Sequence, residues 1–269
     1  MQKRIIALMT DFGCDSHFVG IMKGVISCID PNAVIIDLCH DLQPQNIKQA
    51  AFVLRSSYKY FPKGTVFCCV VDPGVGSKRD QVAIIGRDHS FVAPDNGILT
   101  YILPEIGAVE ALKPAEKYFL DDISNTFHGR DIFSPVSAYL SKEGKIEGEK
   151  VSQDDLVMLP ALKEEISDNK IAGEIIYPDT FGNLISSISK ETIKKVIEQK
   201  DILKNDLFIQ IGDIRIEGIS RTFSDVDEGG YVAYIGSAGY LEMGIRNGSA
   251  AGELGFSGKM NVQVIWRGL

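Results

Sequence analysis

The sequence predicts a two-domain chain: an α/β domain over residues 1–168 and a smaller, mostly β domain over 169–269. Three observations lead there. The first part alternates apolar strand-like runs with stretches whose apolar residues recur at helical spacing, the signature of a parallel sheet covered by helices. Residues 143–170, EGKIEGEKVSQDDLVMLPALKEEISDNK, are charged, carry little β signal and read as a linker. Seven short strand-like runs then follow, with Gly, Asn and Asp between them, a pattern that suits a small barrel or a sandwich.

RIIALM (4–9) is the first strand run and meets Asp11 at once. FVGIMKGVISCI (18–29) has helical spacing, and AVIIDL (33–38) is strand-like again. QNIKQAAFVLRSSYKYF (45–61) reads as a helix that stops before Pro62, a residue that cannot continue it. TVFCCVVD (65–72) is the third strand. QVAIIGR and SFVAP are two further strand runs, expected near a sheet edge, and DNGILTYIL is expected to open a short helix. SPVSAYLSKEG (134–144) is a helix with Gly144 at its stop. In the second domain AGEIIY, NLISSI, DLFIQI, IRIEGI, YVAYIG, YLEMGI and NVQVIW are the strands, interrupted by one helix, SKETIKKVIEQK.

The 269 residues include 28 basic and 36 acidic side chains, a net charge of -8. No stretch is both strongly basic and interleaved with aromatics, which disfavours a nucleic-acid partner. No apolar run approaches the ~20 residues of a membrane helix, so no membrane partner is expected. The opening MQKRIIALMT is too short for a signal-peptide core, and a cytoplasmic location follows as the default expectation. The five cysteines, Cys14, Cys28, Cys39, Cys68 and Cys69, form no C-x-x-C pair and are odd in number, so neither a disulfide framework nor a zinc site is expected. Cys68 and Cys69 read as small core residues, and Cys14 as a bystander thiol.

Two familiar-looking motifs carry nothing. DFG at 11–13 lacks the upstream loops that give that triplet meaning in a protein kinase. GVGSKR matches neither the phosphate-loop nor the dinucleotide spacing, although a glycine turn after a strand brings backbone N–H groups close to a ligand.

Four segments concentrate acids and histidines: TDFGCDSH (10–17), VVDPGVGSKR (70–79), APDNG (93–97) and NTFHGRDIF (125–133). Ligands of open α/β sheets bind beyond the carboxyl ends of the strands. Asp11 follows the first strand and Asp72 ends the third, so in a parallel sheet both face one crevice. Each residue also has a plainer explanation. Asp11 suits a helix cap, Asp72-Pro73 suits a turn, Asp95-Asn96-Gly97 suits a turn or cap, His128 suits a satisfied core position, and Arg79 suits a surface ion pair. Repeated strand endings of Asp followed by glycine favour a shared site. Three classes of function fit the residues: a metal-dependent hydrolase, a metal-free enzyme using Asp, Arg and His on a nucleoside-like ligand, and a binding module without chemistry. Against the first, no H-E-x-x-H, H-x-x-E-H or tight Asp/His cluster is present.

TDFG, VGIMKGVI, DLCHDLQPQNIKQAAFVL, YFPKGTVFCCVVDPGVGSKR, FVAPDNGIL and TFHGRDIFSPVSAYL together resemble the S-adenosylmethionine (SAM) hydroxide adenosyltransferases, the SAM hydrolases related to fluorinating and chlorinating enzymes. DTFGNLISSI, TFSDVDEG and GSAGYLEMGIRNGSAA continue the likeness, which covers nearly the whole chain. The resemblance implies a Rossmann-like N-terminal α/β domain, a C-terminal β-barrel, and a homotrimer with ligand held between subunits. It implies hydrolysis of SAM to adenosine and methionine, without metal or cofactor, SAM being the substrate. The alternatives are adenosyl transfer to another small nucleophile such as halide, and a SAM- or adenosine-binding regulator with negligible turnover.

The implied catalytic group is Asp72, Arg79 and His128. The halogenating relatives lack this Asp and His, so their presence favours water as the nucleophile. Attack at the ribose C5′ of a sulfonium expels a neutral thioether, which needs no proton and no metal. It needs an oxygen nucleophile held in line and partly deprotonated. Asp72 suits the acceptor of the water proton, Arg79 keeps it ionised, and His128 holds the water or relays its proton. The resemblance further assigns Asp11 to the ribose hydroxyls, Asn183 to the adenine edge, Phe223 to adenine stacking, Asp179 to the methionine ammonium and Ser237 to its carboxylate. Phe223 equally suits a core position. Ala238 stands where the halogenases carry an arginine, so that charged clamp is missing.

Overall fold

The computed structural model describes residues 3–107, 110–202 and 206–266. The chain divides into two compact units, Met1–Pro160 and Ala161–Leu269.

The first unit is built on seven strands: β1 (Ile5–Thr10), β2 (Val34–Cys39), β3 (Val66–Val70), β4 (Gln81–Ile85), β5 (Ser90–Pro94), β6 (Glu110–Pro114) and β7 (Gly148–Lys150). Their order is β2-β1-β3-β5-β4-β6-β7. The pairings β1–β2, β1–β3 and β3–β5 are parallel, and those of β4, β6 and β7 antiparallel. Both faces are covered by α1 (His17–Ile29), α2 (Ile47–Ser57) and α3 (Ser134–Glu143). Strand alternation divides the core in two. Ile6, Leu8, Cys68 and Val70 pack with Met22 and Ile26 of α1 and Val136 and Leu140 of α3. Ala7, Met9, Phe67 and Cys69 pack with Ala50 and Leu54 of α2. Strands covered on both faces read as continuous apolar runs, which is why β1 and β3 show in the sequence. The paired cysteines are core residues, one on each face.

Three local expectations need correction. β5 lies beside β3 and β4 beyond it, inside the sheet, because β6 and β7 extend it to an edge formed by β7. EALKP and GEK carry too little β character to reveal those strands. The DNGILTYIL segment folds as successive turns, not a helix. Gly97 enters them with φ +97°, and Pro104 lacks the N–H a helix would use. The charged stretch read as a linker is also partly structured. It contains β7, buries Leu156, and donates the Val157 N–H to Asp95 at 3.0 Å.

The second unit contains β8 (Glu165–Ile166), β9 (Lys170–Pro178), β10 (Leu184–Ser189), β11 (Leu207–Ile211), β12 (Ile214–Glu217), β13 (Tyr231–Ile235), β14 (Tyr240–Ile245) and β15 (Asn261–Trp266), with α4 (Lys190–Lys200) and the short α5 (Ala250–Glu253). The order β12-β11-β15-β9-β10-β14-β13 is antiparallel throughout, with β8 on β9. A bridge between Ser220 and Tyr234 brings the chain after β12 to β13, so the sheet nearly closes into a barrel around Leu184, Ile209, Leu241, Met243 and Val264. All seven strands expected from the sequence are present. Among the described residues no helix is long and apolar enough to cross a membrane.

Candidate active site

β1 and β3 are parallel neighbours with Thr10 opposite Val70, so Asp11 and Asp72 leave the same edge of the sheet. The cap explanation for Asp11 fails: Ser16 caps α1 by accepting from the Phe18 N–H. Asp11 Oδ2 instead accepts the Gln45 N–H at 2.7 Å. The segment around Asp11 is pinned by His40, whose carbonyl accepts the Gly13 N–H and whose Nδ1 lies 2.8 Å from Thr10 Oγ1.

Asp72, Arg79 and His128 come together. Arg79 Nε donates to both Asp72 oxygens at 3.0 Å, and Nη2 donates closely to Oδ2. The same Nη2 lies 2.8 Å from His128 Nδ1. A guanidinium has donors only, so Nδ1 accepts and the neutral ring carries its proton on Nε2. The Asp72 and Arg79 side chains are only 5% and 10% exposed, which makes their ion pair a buried one. The Arg79 guanidinium lies over the Phe133 ring, 5.0 Å from its centroid. His128 is held below its ordinary value of 6.5, first by burial and then by the Arg79 charge; Asp72 and Asp131 oppose this.

Local structure explains how three distant positions meet. The turn after β3 brings Arg79 back onto Asp72, with the Val75 N–H donating to the Asp72 carbonyl. Gly76 has φ +75°, and a Cβ there would overlap the Asn125 carbonyl oxygen. The glycine loop therefore fits closely against the segment that carries His128. That segment runs into a π-helical turn, Gly129–Phe133, which places Phe133 beneath Arg79. Such turns recur at functional sites because they redirect side chains within a helix. Asp131, fully buried, ties the turn down by accepting from the Ser124 N–H and from Arg130. The sequence assigns Asn96 only a turn or cap role. Its Oδ1 does accept the Ile98 N–H, but its Nδ2 also donates to the Val71 carbonyl at 2.8 Å, bracing the strand end before Asp72.

In the second unit, Asp179 and Asn183 shape one turn. Asp179 Oδ1 accepts the N–H groups of Phe181 and Asn183, and Oδ2 accepts from Asn183 Nδ2 at 2.9 Å. Phe223 packs on Tyr234 with ring centroids 4.6 Å apart. Phe181, Asn183, Phe223, Ser224, Ile245, Arg246, Asn247 and Gly248 line a cavity of about 720 Å³. A cavity of that size suits a nucleoside-sized ligand. Phe223 is thus a cavity residue and not a core one. Asp179 and Ser237 are not among the lining residues; Ser237 is exposed in the turn between β13 and β14. Phe181 is one of the lining residues that sequence reasoning passed over. An aromatic residue directly before Gly-Asn was the available signal; in the structure its ring is 78% exposed. Among the described residues no group of three His, Cys, Asp or Glu side chains is placed to hold a metal ion.

Descriptions of the SAM hydroxide adenosyltransferase N-terminal and C-terminal domains match residues 6–149 and 173–263. The chain belongs to the SAM hydroxide adenosyltransferase family. It is 35% identical to the (R)-S-adenosyl-L-methionine hydrolase of Thermus thermophilus, over 97% of this chain and all of the relative. A protein of the same name from Methanocaldococcus jannaschii is 34% identical over 70% of this chain and 68% of its own. The fluorinase of Nocardia brasiliensis is more distant, 26% identical over 98% of this chain and 97% of its own. Among solved structures, an uncharacterized conserved protein from Thermotoga maritima superimposes with a TM-score of 0.87 at 34% identity, covering 97% of this chain and 99% of the other. The family membership agrees with the two-unit architecture, an α/β sheet followed by a nearly closed β-barrel.

Proposed function

We propose that this member of the family hydrolyses SAM to adenosine and methionine. The observation that carries the reading is the Asp72–Arg79–His128 group at the carboxyl edge of the parallel strands, in a chain whose relatives are named for SAM hydrolysis. A water donating to Asp72 Oδ1 and accepting from His128 Nε2–H would be held by two groups whose own positions Arg79 sets. Oδ1 has the spare capacity, since Oδ2 takes two of the three Arg79 contacts. In the reaction the water oxygen bonds to C5′, its proton passes to Asp72, and the C5′–S electron pair stays on sulfur, leaving a neutral thioether. His128 thus serves as a hydrogen-bond donor, not as the base. Holding the water in line is the main source of acceleration; oriented reactants gain roughly 7–11 kcal/mol. No metal or cofactor has a part in this scheme.

Asp11 is assigned to the ribose hydroxyls, Asn183 and Phe223 to adenine, and Ser237 and Asp179 to the amino-acid arm. The catalytic group and the cavity lie on separate units, and the reading has them share one ligand across neighbouring subunits of a homotrimer. Sedimentation of the purified protein tests the trimer. The five cysteines, all free, suit a reducing compartment such as the cytoplasm.

The deciding experiment is chromatography of the protein incubated with each sulfonium epimer of SAM in halide-free buffer, with and without a chelator. Equal amounts of adenosine and methionine, unaffected by the chelator, are expected. The relatives' names point to the R epimer as the preferred one. Tight binding without product would instead indicate a sensor.

A pH profile tests the His128 role. Its neutral form is needed, because a proton on Nδ1 would oppose the Arg79 donor. The pKa lies below the ordinary 6.5, so this contact contributes stability above about pH 6.5 and loses it as the pH falls through the folded value. The acid limb of kcat/KM is expected to have its midpoint below 6.5. A midpoint above that value would contradict the assignment.

A further inference from the structure

Glu242 is a partly buried carboxylate to which the reading above gives no task. It stands on β14 opposite Tyr234 of β13 and Ile185 of β10. Its neighbours Leu241 and Met243 point into the barrel core, so Glu242 faces the other side. Gly244 lies on that same face, and a Cβ on it would overlap Asn183 Oδ1 and press on Phe223. The Tyr234 ring packs against Phe223 at 4.6 Å, and Tyr234 stands directly opposite Glu242 in the β13–β14 pairing. A Cβ on Gly236 would overlap that carboxylate, which therefore sits against the backbone just before Ser237. Glu242 thus lies between the residues assigned to adenine and those assigned to the amino-acid arm.

The charge around it has no counterpart. Tyr234 and Asp179 are the titratable groups acting on Glu242, and no lysine or arginine among the described residues does so. Burial, followed by the Asp179 charge, raises its pKa, whereas a cation bound there would lower it. Ala238, on the adjoining turn, adds no charge. Asp179 is poorly placed to serve alone, because three hydrogen bonds of its own turn already occupy its oxygens. A carboxylate has about four acceptor sites, so Glu242, opposite Tyr234, keeps capacity for a ligand donor.

We propose that Glu242 is a specificity-determining residue whose carboxylate, set between Tyr234 and the Gly236 backbone, binds the α-ammonium group of the substrate's amino-acid arm beside Ser237. This deepens the SAM reading and rests on it. Asp179 then acts chiefly by shaping the Phe181–Asn183 turn and by adding negative potential.

The test is calorimetric binding of two sulfonium ligands, SAM and its analogue with a 3-carboxypropyl arm that lacks the amino group. A His128→Ala background keeps the ligands from being consumed. Adding Glu242→Gln is expected to lower SAM affinity roughly ten- to hundredfold and to remove most of the preference for SAM over the des-amino analogue. Glu242→Asp, which keeps the charge, should recover part of that preference. An unchanged SAM-to-analogue ratio in Glu242→Gln overturns the proposal, whether or not both affinities fall, because a structural role would weaken both ligands alike. Absence of adenosine formation by the unsubstituted protein would defeat the hydrolase reading and leave this ratio readable. Failure of the unsubstituted protein and its His128→Ala form to bind either ligand would overturn both.

Discussion

Arg79→Lys is expected to lower kcat/KM for SAM by roughly a hundredfold or more, the scale of a catalytic group misplaced by about an ångström. Lysine keeps the charge but not the fork. Arg79 contacts both Asp72 oxygens through Nε and Nη2 and reaches His128 Nδ1 with the same Nη2. A single ammonium cannot hold both partners in those directions. Arg79→Ala goes further, because it leaves Asp72, 5% exposed, without its counter-charge. Breaking a buried pair from one side costs about 3–5 kcal/mol of stability. His128→Ala removes a donor without stranding a charge, so it is expected to reduce turnover by roughly 10²–10³-fold with little loss of stability. Steady-state kinetics and urea unfolding on the three variants separate these effects. Full activity in Arg79→Lys would show that charge alone, not orientation, is what the site needs.

Gly76→Ala is expected to lose both stability and turnover, whereas Gly144→Ala loses stability alone. The two glycines have nearly the same backbone, with φ +75° and +74°. An L-residue in that left-handed region costs roughly 1–2 kcal/mol, and both substitutions incur this cost. They differ in what a methyl group would meet. Nothing lies within 4 Å of a Cβ at Gly144, which ends α3, while a Cβ at Gly76 would overlap the Asn125 carbonyl oxygen. Relief of that overlap moves the loop bearing Arg79 away from the segment bearing His128. Midpoints of thermal unfolding and kcat/KM per folded molecule distinguish the two. Equal activity in both variants would mean that the fit at Asn125 does not set the catalytic geometry.

Much of the fold could be read from the chain because strands buried on both faces leave continuous apolar runs, and helices packed on one face leave a helical period. β1, β3, α1 and α3 were legible for that reason. β6 and β7 were not, since short strands near an edge are held by pairing more than by apolar content. The turns after Gly97 were mistaken for a helix because their apolar residues, Ile98, Leu99 and Ile102, are buried for tertiary reasons. Residue types alone singled out Asp11, Asp72, Arg79 and His128 as polar groups at element ends, but each kept a plainer explanation until the resemblance joined them. Asn96 was legible only as a turn or cap residue, since its hold on the Val71 carbonyl spans 25 residues.

By itself the sequence determined the two-part architecture, the family, and the residue types available for chemistry, because those depend on local patterning and on motifs contiguous in the chain. Tertiary structure decided which atoms do the holding. It placed both Asp72 oxygens on Arg79, turned His128 Nδ1 toward the same guanidinium, spent Asp179 on its own turn, and set Glu242 opposite Tyr234 with no lysine or arginine among the described residues acting on it. The physical reason is that hydrogen-bond capacity and desolvation are properties of a packed environment. A carboxylate's remaining lone pairs, or a histidine's tautomer, exist as definite quantities only once the distant partners have been brought within about 3 Å.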